Sequence, residues 1–550
     1  MASVNLLESP LGPALILVCG ALALILFPRR TSSWLSRSAA VVIALAALGR
    51  MIVLRGSVVG PGIGWAWQPP VVAAGEIAWV GDGWAWLVGI LLLTEALVAL
   101  LLEEAEGRRP RSVYVATLLL AAACLLFVLS ANLLTLTVAW VLVDLALMLR
   151  VGPIARPGAA VRAWGISSVG AWLLLVALLA AGPAAARLAP LTGPLPSLSR
   201  TIVVLLALLR LGAYPFHLWR DPRAAQELGP AVALFLLAPT AGLWLLGRAA
   251  ALGQPGWLLT RQWAALGILA LIGSALAAWT EPDDARSVGW VLINRASLGL
   301  LAVVLYPAGG TAAVTWPLIS LSLGGAALLI GRASEARWGW HLPVAAAIVA
   351  LFGFPFTSGF PLRSALARLG LAPPTGNLPL WLGFLLADTL LVAALLRSWQ
   401  AVRAGSNPRP AIVARGLLAA LLVVPPLLVA GLRPPLVARL IGLDPLIFGF
   451  APASQLLQLR WSAVRWSLLI PLAFGTLLAW GRGHIFAGWR GWQMAVTAVV
   501  SLEWVYRGGR RMAAIIAGAL RGAVAIVEGE GYLGWLVLAG LVIWVLSLRQ

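Results

Sequence analysis

Several ionisable side chains stand inside apolar stretches of this sequence: Glu95, Asp144, Arg210, His217, Arg295, Arg363 and Asp388. An ionisable group in hydrocarbon costs at least about 2.5–3.5 kcal/mol on insertion scales, so each marks a place where a charge is held or moved. Glu95 and Arg295 read first as charges that pair or snorkel merely to be tolerated. Asp144, Arg210 and Arg363 read first as functional, and with His217, Asp388 and Arg295 they form the candidate ion path. All 39 basic residues are arginine. A guanidinium does not release its proton in a protein, so the chain has no lysine to serve as a reversible carrier.

Two of the arginines lie near similar interruptions. Leu211-Gly212-Ala213-Tyr214-Pro215-Phe216 and Phe352-Gly353-Phe354-Pro355-Phe356 each place a glycine shortly before an aromatic-Pro-Phe sequence within an apolar run. Both helices should break there. An odd number of spans separates the two breaks, which reverses the direction in which a repeat crosses the membrane. Paired broken helices in two inverted halves point to an ion site near the midplane.

Composition supplies the elements that position these groups. The chain is 61% hydrophobic and 11% charged with a mean hydropathy of +0.96, which leaves too little polar surface for a soluble protein. The expected fold is an all-α polytopic membrane protein. Spans of about 20 apolar residues number roughly 15–16. They fall near 12–28, 34–54, 82–102, 112–130, 132–150, 160–186, 200–218, 229–249, 261–280, 286–306, 312–331, 341–362, 379–398, 411–432, 462–480 and 531–548. Runs of this length satisfy their backbone in lipid only as helices. The formal charge of +20 sits on arginines that punctuate the spans instead of forming one patch, so nucleic acid is not an expected partner.

Assigning span ends alternately to two sides gathers Arg29, Arg30, Arg37, Arg108, Arg109, Arg111, Arg150, Arg156, Arg162, Arg220, Arg223, Arg332, Arg337, Arg397, Arg403 and Arg409 on one of them. By the positive-inside rule that side is cytoplasmic and the N-terminus lies outside. The first apolar run has no basic n-region or clear cleavage site and reads as a retained helix. Cys19 and Cys124 read as small core residues. Gly60-Pro-Gly62-Ile-Gly64 reads as a turn in a Pro-rich loop. The stretch 484–530 mixes Trp489, Trp492, Trp504 and Tyr506 with Arg490, Arg507, Arg510, Arg511 and Arg521, an interfacial amphipathic pattern. The expected organisation is residues 1–111 as N-terminal helices, 112–249 and 250–400 as the two inverted halves, 401–483 as additional helices, 484–530 as the interfacial segment and 531–550 as a terminal span.

Arg210-Leu-Gly-Ala-Tyr-Pro-Phe-His-Leu-Trp219, followed by Asp221 and by the span ending Ala241-Gly242-Leu243-Trp244-Leu245-Leu246-Gly247-Arg248, resembles a signature of the antiporter-like membrane subunits of respiratory complex I and of Mrp-type cation/proton antiporters. In that family a lysine stands where Arg210 stands here. Asp284-Ala-Arg286 leading to Gly299, Gly353-Phe-Pro355-Phe-Thr-Ser-Gly359-Phe-Pro-Leu-Arg363, and Asn132 through Trp140 resemble three further family stretches. The match covers roughly residues 80–400. It implies a bacterial cytoplasmic membrane, and buried Lys, His and Glu groups that pass protons through half-channels, each built on one broken helix.

The carriers differ. The family's glutamate after Trp140 is Val141, with Asp144 one helical turn on and able to reach Arg210. Arg210 and Arg363 replace lysines, Ser322 is followed by Leu323 where a lysine is usual, and Ser297 replaces a histidine. The leading reading is the membrane subunit of a proton- or cation-translocating complex. A non-pumping spacer, plugged by Val141 and Leu323, is one alternative; the membrane partner of an inorganic-carbon uptake system is another. Expected partners are the lipid bilayer, other membrane subunits and a peripheral redox or zinc-binding subunit. No Cys/His metal spacing, Gly-rich Lys loop or nucleophile-base pair is present, so no cofactor, metal or catalytic residue is expected in the chain itself.

Overall fold

The structure is a computed structural model that describes residues 8–26, 32–57, 63–66, 76–103, 111–152, 159–182, 195–220, 227–253, 257–258, 260, 261–305, 310–338, 340–371, 378–400, 410–443, 462–488, 490–527 and 532–547. Arg29, Arg30, Arg108, Arg109, Arg156, Asp221, Arg223, Arg403, Arg409 and Gly60-Pro-Gly62 lie outside them.

Each expected span contains helix among its described residues. The order is α1 (Gly12–Leu26), α2 (Ser33–Val53), α3 (Gly83–Leu102), α4 (Ser112–Val128), α5 (Leu133–Val151), α6 (Ala159–Ala181) and α7 (Ser197–Leu211). Then come α8 (Leu228–Ala251), α9 (Arg261–Thr280), α10 (Asp284–Leu305), α11 (Thr311–Ala333), α12 (Leu342–Phe352), α13 (Phe360–Leu371) and α14 (Leu378–Gln400). The remainder are α15 (Pro410–Leu432), α16 (Pro434–Leu440), α17 (Ser462–Ala487), α18 (Arg490–Val500), α19 (Glu503–Val527) and α20 (Tyr532–Ser547). Among the described residues 11 helices are long and apolar enough to cross a membrane. The chain is a multi-pass membrane protein.

Sequence chemistry sets the helix starts. Asp82 caps α3 by accepting from Ala85 N at 2.8 Å, and Asn132 caps α5 by accepting from Thr135 N at 2.9 Å. Glycine-rich residues 63 and 64 stand in a short strand instead of a turn: β1 (Ile63–Ala66) pairs antiparallel with β2 (Glu76–Trp79). This hairpin is tied to α5, because Asn132 Nδ2 donates to Glu76 O at 2.9 Å and Thr135 Oγ1 accepts from Ala78 N at 2.8 Å.

Helices that are apolar all round belong inside a bundle, and four are nearly enclosed. The most apolar windows of α3, α8, α10 and α11 are 89%, 100%, 94% and 100% buried, against 28% for α6, α15 and α17. Every candidate ion-path residue therefore sits on or against this central group. Two of the central helices carry a single wide π-turn, Ala233–Leu237 in α8 and Ser320–Gly324 in α11, a local widening that often accompanies a functional site.

The chain divides into two compact units, Met1–Gln493 and Met494–Gln550. The first contains the bundle just described. The second holds α19 and α20; α19 carries exposed Trp504, Met512, Ile515, Ile516 and Leu520 alongside Arg507, Arg511 and Arg521.

Candidate functional site

Both Gly…Pro sequences break their helices as their residues require. Helix α7 ends at Gly212 with a φ of 57°, and α12 ends at Gly353 with a φ of 82°, left-handed conformations that an L side chain resists. The two breaks end the seventh and the twelfth helices in chain order. A broken helix exposes carbonyls that the next turn would have used, and its last turn carries partial negative charge. The open carbonyls of α12 are met by guanidinium groups, and at the end of α7 Leu209 O accepts from Trp219 Nε1 at 2.6 Å.

At the first break Arg210, in the last turn of α7, reaches across to α5. Its Nη1 lies 2.6 Å from Asp144 Oδ1, and its Nη2 donates to Trp140 O at 3.2 Å. The guanidinium also lies over the Trp140 ring, 3.8 Å from its centroid, a cation–π contact between buried groups. Helix α6 completes the arrangement: Ser167 Oγ donates to Asp144 Oδ1 at 2.7 Å, while Ser167 O accepts from Trp140 Nε1 at 2.9 Å. The expected Asp144–Arg210 pair is present, and both partners are buried.

At the second break one carboxylate serves two cations. Asp388 Oδ1 accepts from Arg295 Nη2 at 3.0 Å, and Asp388 Oδ2 accepts from Arg363 Nη2. The same guanidiniums take the open carbonyls of α12, with Arg295 Nη1 on Leu351 O at 2.9 Å and Arg363 Nε on Phe352 O at 2.9 Å. Asn294 Oδ1 accepts from Arg295 Nε at 3.1 Å, and its amide is anchored on α9 by Leu271 O and Ser274 Oγ. Arg295, read from sequence as a tolerated charge, is therefore a full member of this cluster.

Helix α10 joins the two breaks. Tyr214 N, in the first break, donates to Ser297 Oγ on α10 at 3.1 Å. His217 stacks on Tyr214, with centroids 5.2 Å apart, and meets the Trp290 ring of α10 at a tilt, with centroids 4.7 Å apart. The candidates thus form an α5–α7 pair, a His217 stack on α10, and an α10–α13–α14 triad, in that order across the bundle.

The packing around several side chains was not legible in the sequence. Glu95 is 0% exposed on α3 and accepts from Thr240 Oγ1 at 2.7 Å. Arg220, expected at a cytoplasmic loop, is instead buried at 1% exposure, folded against Gly212, where an added Cβ would come within 2.2 Å of its Nε. Arg37 and Arg150, also counted as loop charges, are buried too, Arg37 donating to Tyr114 Oη at 3.0 Å and Arg150 paired with Glu103. Val141, a plug only in the spacer alternative, is 42% exposed on the outer face of α5, whereas Leu323 is buried in the π-turn of α11.

No family model matches the chain. A stretch of 175 residues is 30% identical to NADH-quinone oxidoreductase subunit N 3 of Streptomyces griseus, covering 28% of this chain and 31% of the relative. Among solved structures the chain superposes on a subunit of the Mrp complex from a Dietzia species with a TM-score of 0.72, 20% identity, 98% of this chain and 62% of the other. The chain has the fold of the antiporter-like membrane subunits. A subunit of the membrane-bound sulfane sulfur reductase, an archaeal respiratory membrane complex, matches at 0.70 and 17% identity over 98% of this chain and 100% of the other. A chain of respiratory complex I from Thermus thermophilus matches at 0.59 and 22% identity over 78% and 100%.

The chain spans about a third of the curated relative's length and 62% of the Dietzia subunit. The resemblance expected from Pro-Phe-His-Leu-Trp holds at the level of fold. The side chains in its core differ in kind: cations that cannot titrate stand at both breaks, each paired with a carboxylate, and at the second break they also take the open carbonyls of α12.

Proposed function

We propose that this chain is the ion-translocating membrane subunit of a multisubunit proton- or cation-translocating complex of the complex I or Mrp antiporter type. One observation carries the reading: α10 connects two buried ion-pair clusters, each seated at a broken helix, through Ser297 and the stacked His217. A span needs no such arrangement for packing, since each buried pair is expensive to desolvate and apolar residues of like volume fill a core as well or better.

In this reading Arg210, Arg295 and Arg363 set a fixed positive potential and hold water, while Asp144 and Asp388 compensate them and His217 links the two sides. The guanidiniums do not exchange protons. The halves 112–249 and 250–400 each contribute one broken helix, and the 484–530 segment lies along the membrane surface or a neighbour. The partners are other membrane subunits, with a peripheral redox or zinc-binding subunit as the energising component. The setting is a bacterial cytoplasmic membrane with the N-terminus outside, which the distribution of arginines supports. Purification of the native assembly in mild detergent, with its subunits identified by mass spectrometry and ion flux measured after reconstitution, tests this reading. Flux that depends on the chain supports it, and a chain that purifies alone and passes no ion overturns it.

A further inference from the structure

Every buried carboxyl group at the two breaks is committed to an arginine, but Glu95 is not. Its side chain is enclosed at the centre of the bundle, and no guanidinium or imidazole is hydrogen-bonded or ion-paired with it among the described residues. The groups around it are hydroxyls. Thr240 Oγ1 donates to Oε1 at 2.7 Å from α8, just past the π-turn of that helix. Ser322, inside the π-turn of α11, faces the carboxyl; its Oγ and Glu95 Oε2 are both otherwise unpartnered and no well-formed hydrogen bond joins them. Among the described residues, the titratable group that faces Glu95 from the helices packed against α3 is the Cys124 thiol of α4.

Both hydroxyl neighbours lead to a break. On α8, two residues after Thr240, Gly242 lets the helix lie directly on α7: an added Cβ would sit 2.3 Å from Leu211 N, beside Arg210. On α11, Ser320 of the same π-turn as Ser322 donates to Ala350 O at 3.4 Å, in the turn of α12 whose next carbonyl takes Arg295. Glu95 therefore stands between the Asp144–Arg210 pair and the Arg295–Asp388–Arg363 triad, one helix away from each.

We propose that Glu95 is the proton-binding group of this chain, taking a proton onto Oε2 on one side of the transport cycle and releasing it on the other, with Thr240 and Ser322 as its hydroxyl relays. The step forms one O–H bond and breaks one: a hydronium ion arriving from one cluster gives up its proton and becomes water, and water on the other side accepts the proton on release. No electrons move. Charge compensation favours Glu95 over the other carboxyls. Protonating Asp144 leaves Arg210 buried and uncompensated, and protonating Asp388 strands Arg295 and Arg363 together, whereas protonating Glu95 strands nothing. An unpaired ionisable group enclosed in a span is also the costliest kind to keep without a use.

The proposal rests on the ion-translocating reading, and its test separates the two. The native complex is treated with a hydrophobic carbodiimide, which reacts with a protonated carboxylic acid, and the adduct is located by mass spectrometry. An adduct on Glu95, absent from Asp144 and Asp388, lost as pH is raised and unaffected by sodium chloride, is the expected result. It needs no variant and no flux. No adduct on Glu95, or protection by sodium at constant ionic strength, overturns the proposal, the latter by making Glu95 a sodium ligand. In reconstituted vesicles Glu95→Gln is expected to fall to the rate of protein-free vesicles while Glu95→Asp retains measurable flux. A conducting wild type with an equally conducting Glu95→Gln overturns the proposal and leaves the ion-translocating reading intact; a wild type that passes no ion overturns that reading.

Discussion

Asp144 and Arg210 meet at 2.6 Å between α5 and α7, and the carboxyl oxygen that takes the guanidinium also takes the Ser167 hydroxyl. The contact ties three helices at the first break with a pair that is 0% and 2% exposed. Removing one partner leaves the other charge buried, at a cost of about 3–5 kcal/mol. Asp144→Asn and Arg210→Ala should each lower the thermal unfolding midpoint in detergent and abolish flux. The double variant Asp144→Asn/Arg210→Gln should recover part of the midpoint without recovering flux, which a thermal series read alongside vesicle flux checks.

The second cluster makes an ordering expectation. Asp388→Asn leaves two guanidiniums facing each other across one site, while Arg295→Gln leaves Asp388 still paired with Arg363. Asp388→Asn should therefore be the more destabilising by about 2 kcal/mol or more. Equal midpoints for the two variants would show that the triad is not electrostatically coupled.

The breaks depend on backbone freedom. At Gly353 an added Cβ would lie 2.9 Å from Gly359 C, backbone that cannot yield, and φ is already 82°. Gly353→Ala should cost about 1–3 kcal/mol. Gly212→Ala adds a collision with the Arg220 side chain to a φ of 57° and should cost a similar amount. Limited proteolysis and thermal unfolding measure both.

Outside the spans, burial pushes the Glu281 carboxyl above its usual range, against the opposing pull of the Asp283 backbone amide and of Arg286 and Arg397. A carboxyl raised in the folded state holds its proton longer there than in the unfolded chain. Its contribution is therefore present at low pH and is lost as pH rises from the ordinary carboxylate pKa, about 4.3, through the raised folded value. Glu281→Gln should remove that loss, so the variant gains stability relative to wild type as pH increases through this window. A pair of unfolding curves against pH reads the difference.

Much of this architecture was written locally. Apolar runs long enough to span fixed the helices, and the Gly212…Pro215 and Gly353…Pro355 sequences announced both breaks because those residues act on their own backbone. The family resemblance together with helical spacing put Asp144 within reach of Arg210. What escaped notice depends on how helices rotate and on partners distant in sequence. Val141 follows Trp140 directly yet faces outward, since one residue turns the helix about 100°, while Asp144 returns to the inner face. Glu95 meets Thr240 from 145 positions away, and neither π-turn that frames it has a sequence signal. Arg37, Arg150 and Arg220 read as loop charges because they lie near span ends; only packing shows them buried.

That rotation makes a further expectation. Val141→Glu places a carboxyl on the outer face of α5 at a cost of up to about 3.5 kcal/mol. Combined with Asp144→Val it should fail to restore flux, since the new carboxyl points away from Arg210. Restored flux would mean that α5 adopts a different rotation in the working complex.

The most direct measurement is proton flux in vesicles that hold the native complex, comparing wild type with Arg210→Ala at matched protein content. The expected result is flux in the wild type that collapses in the variant while the other subunits remain assembled. Equal flux in both, or none in the wild type of an intact complex, would contradict an ion path through this chain and leave it as a spacer in its membrane arm.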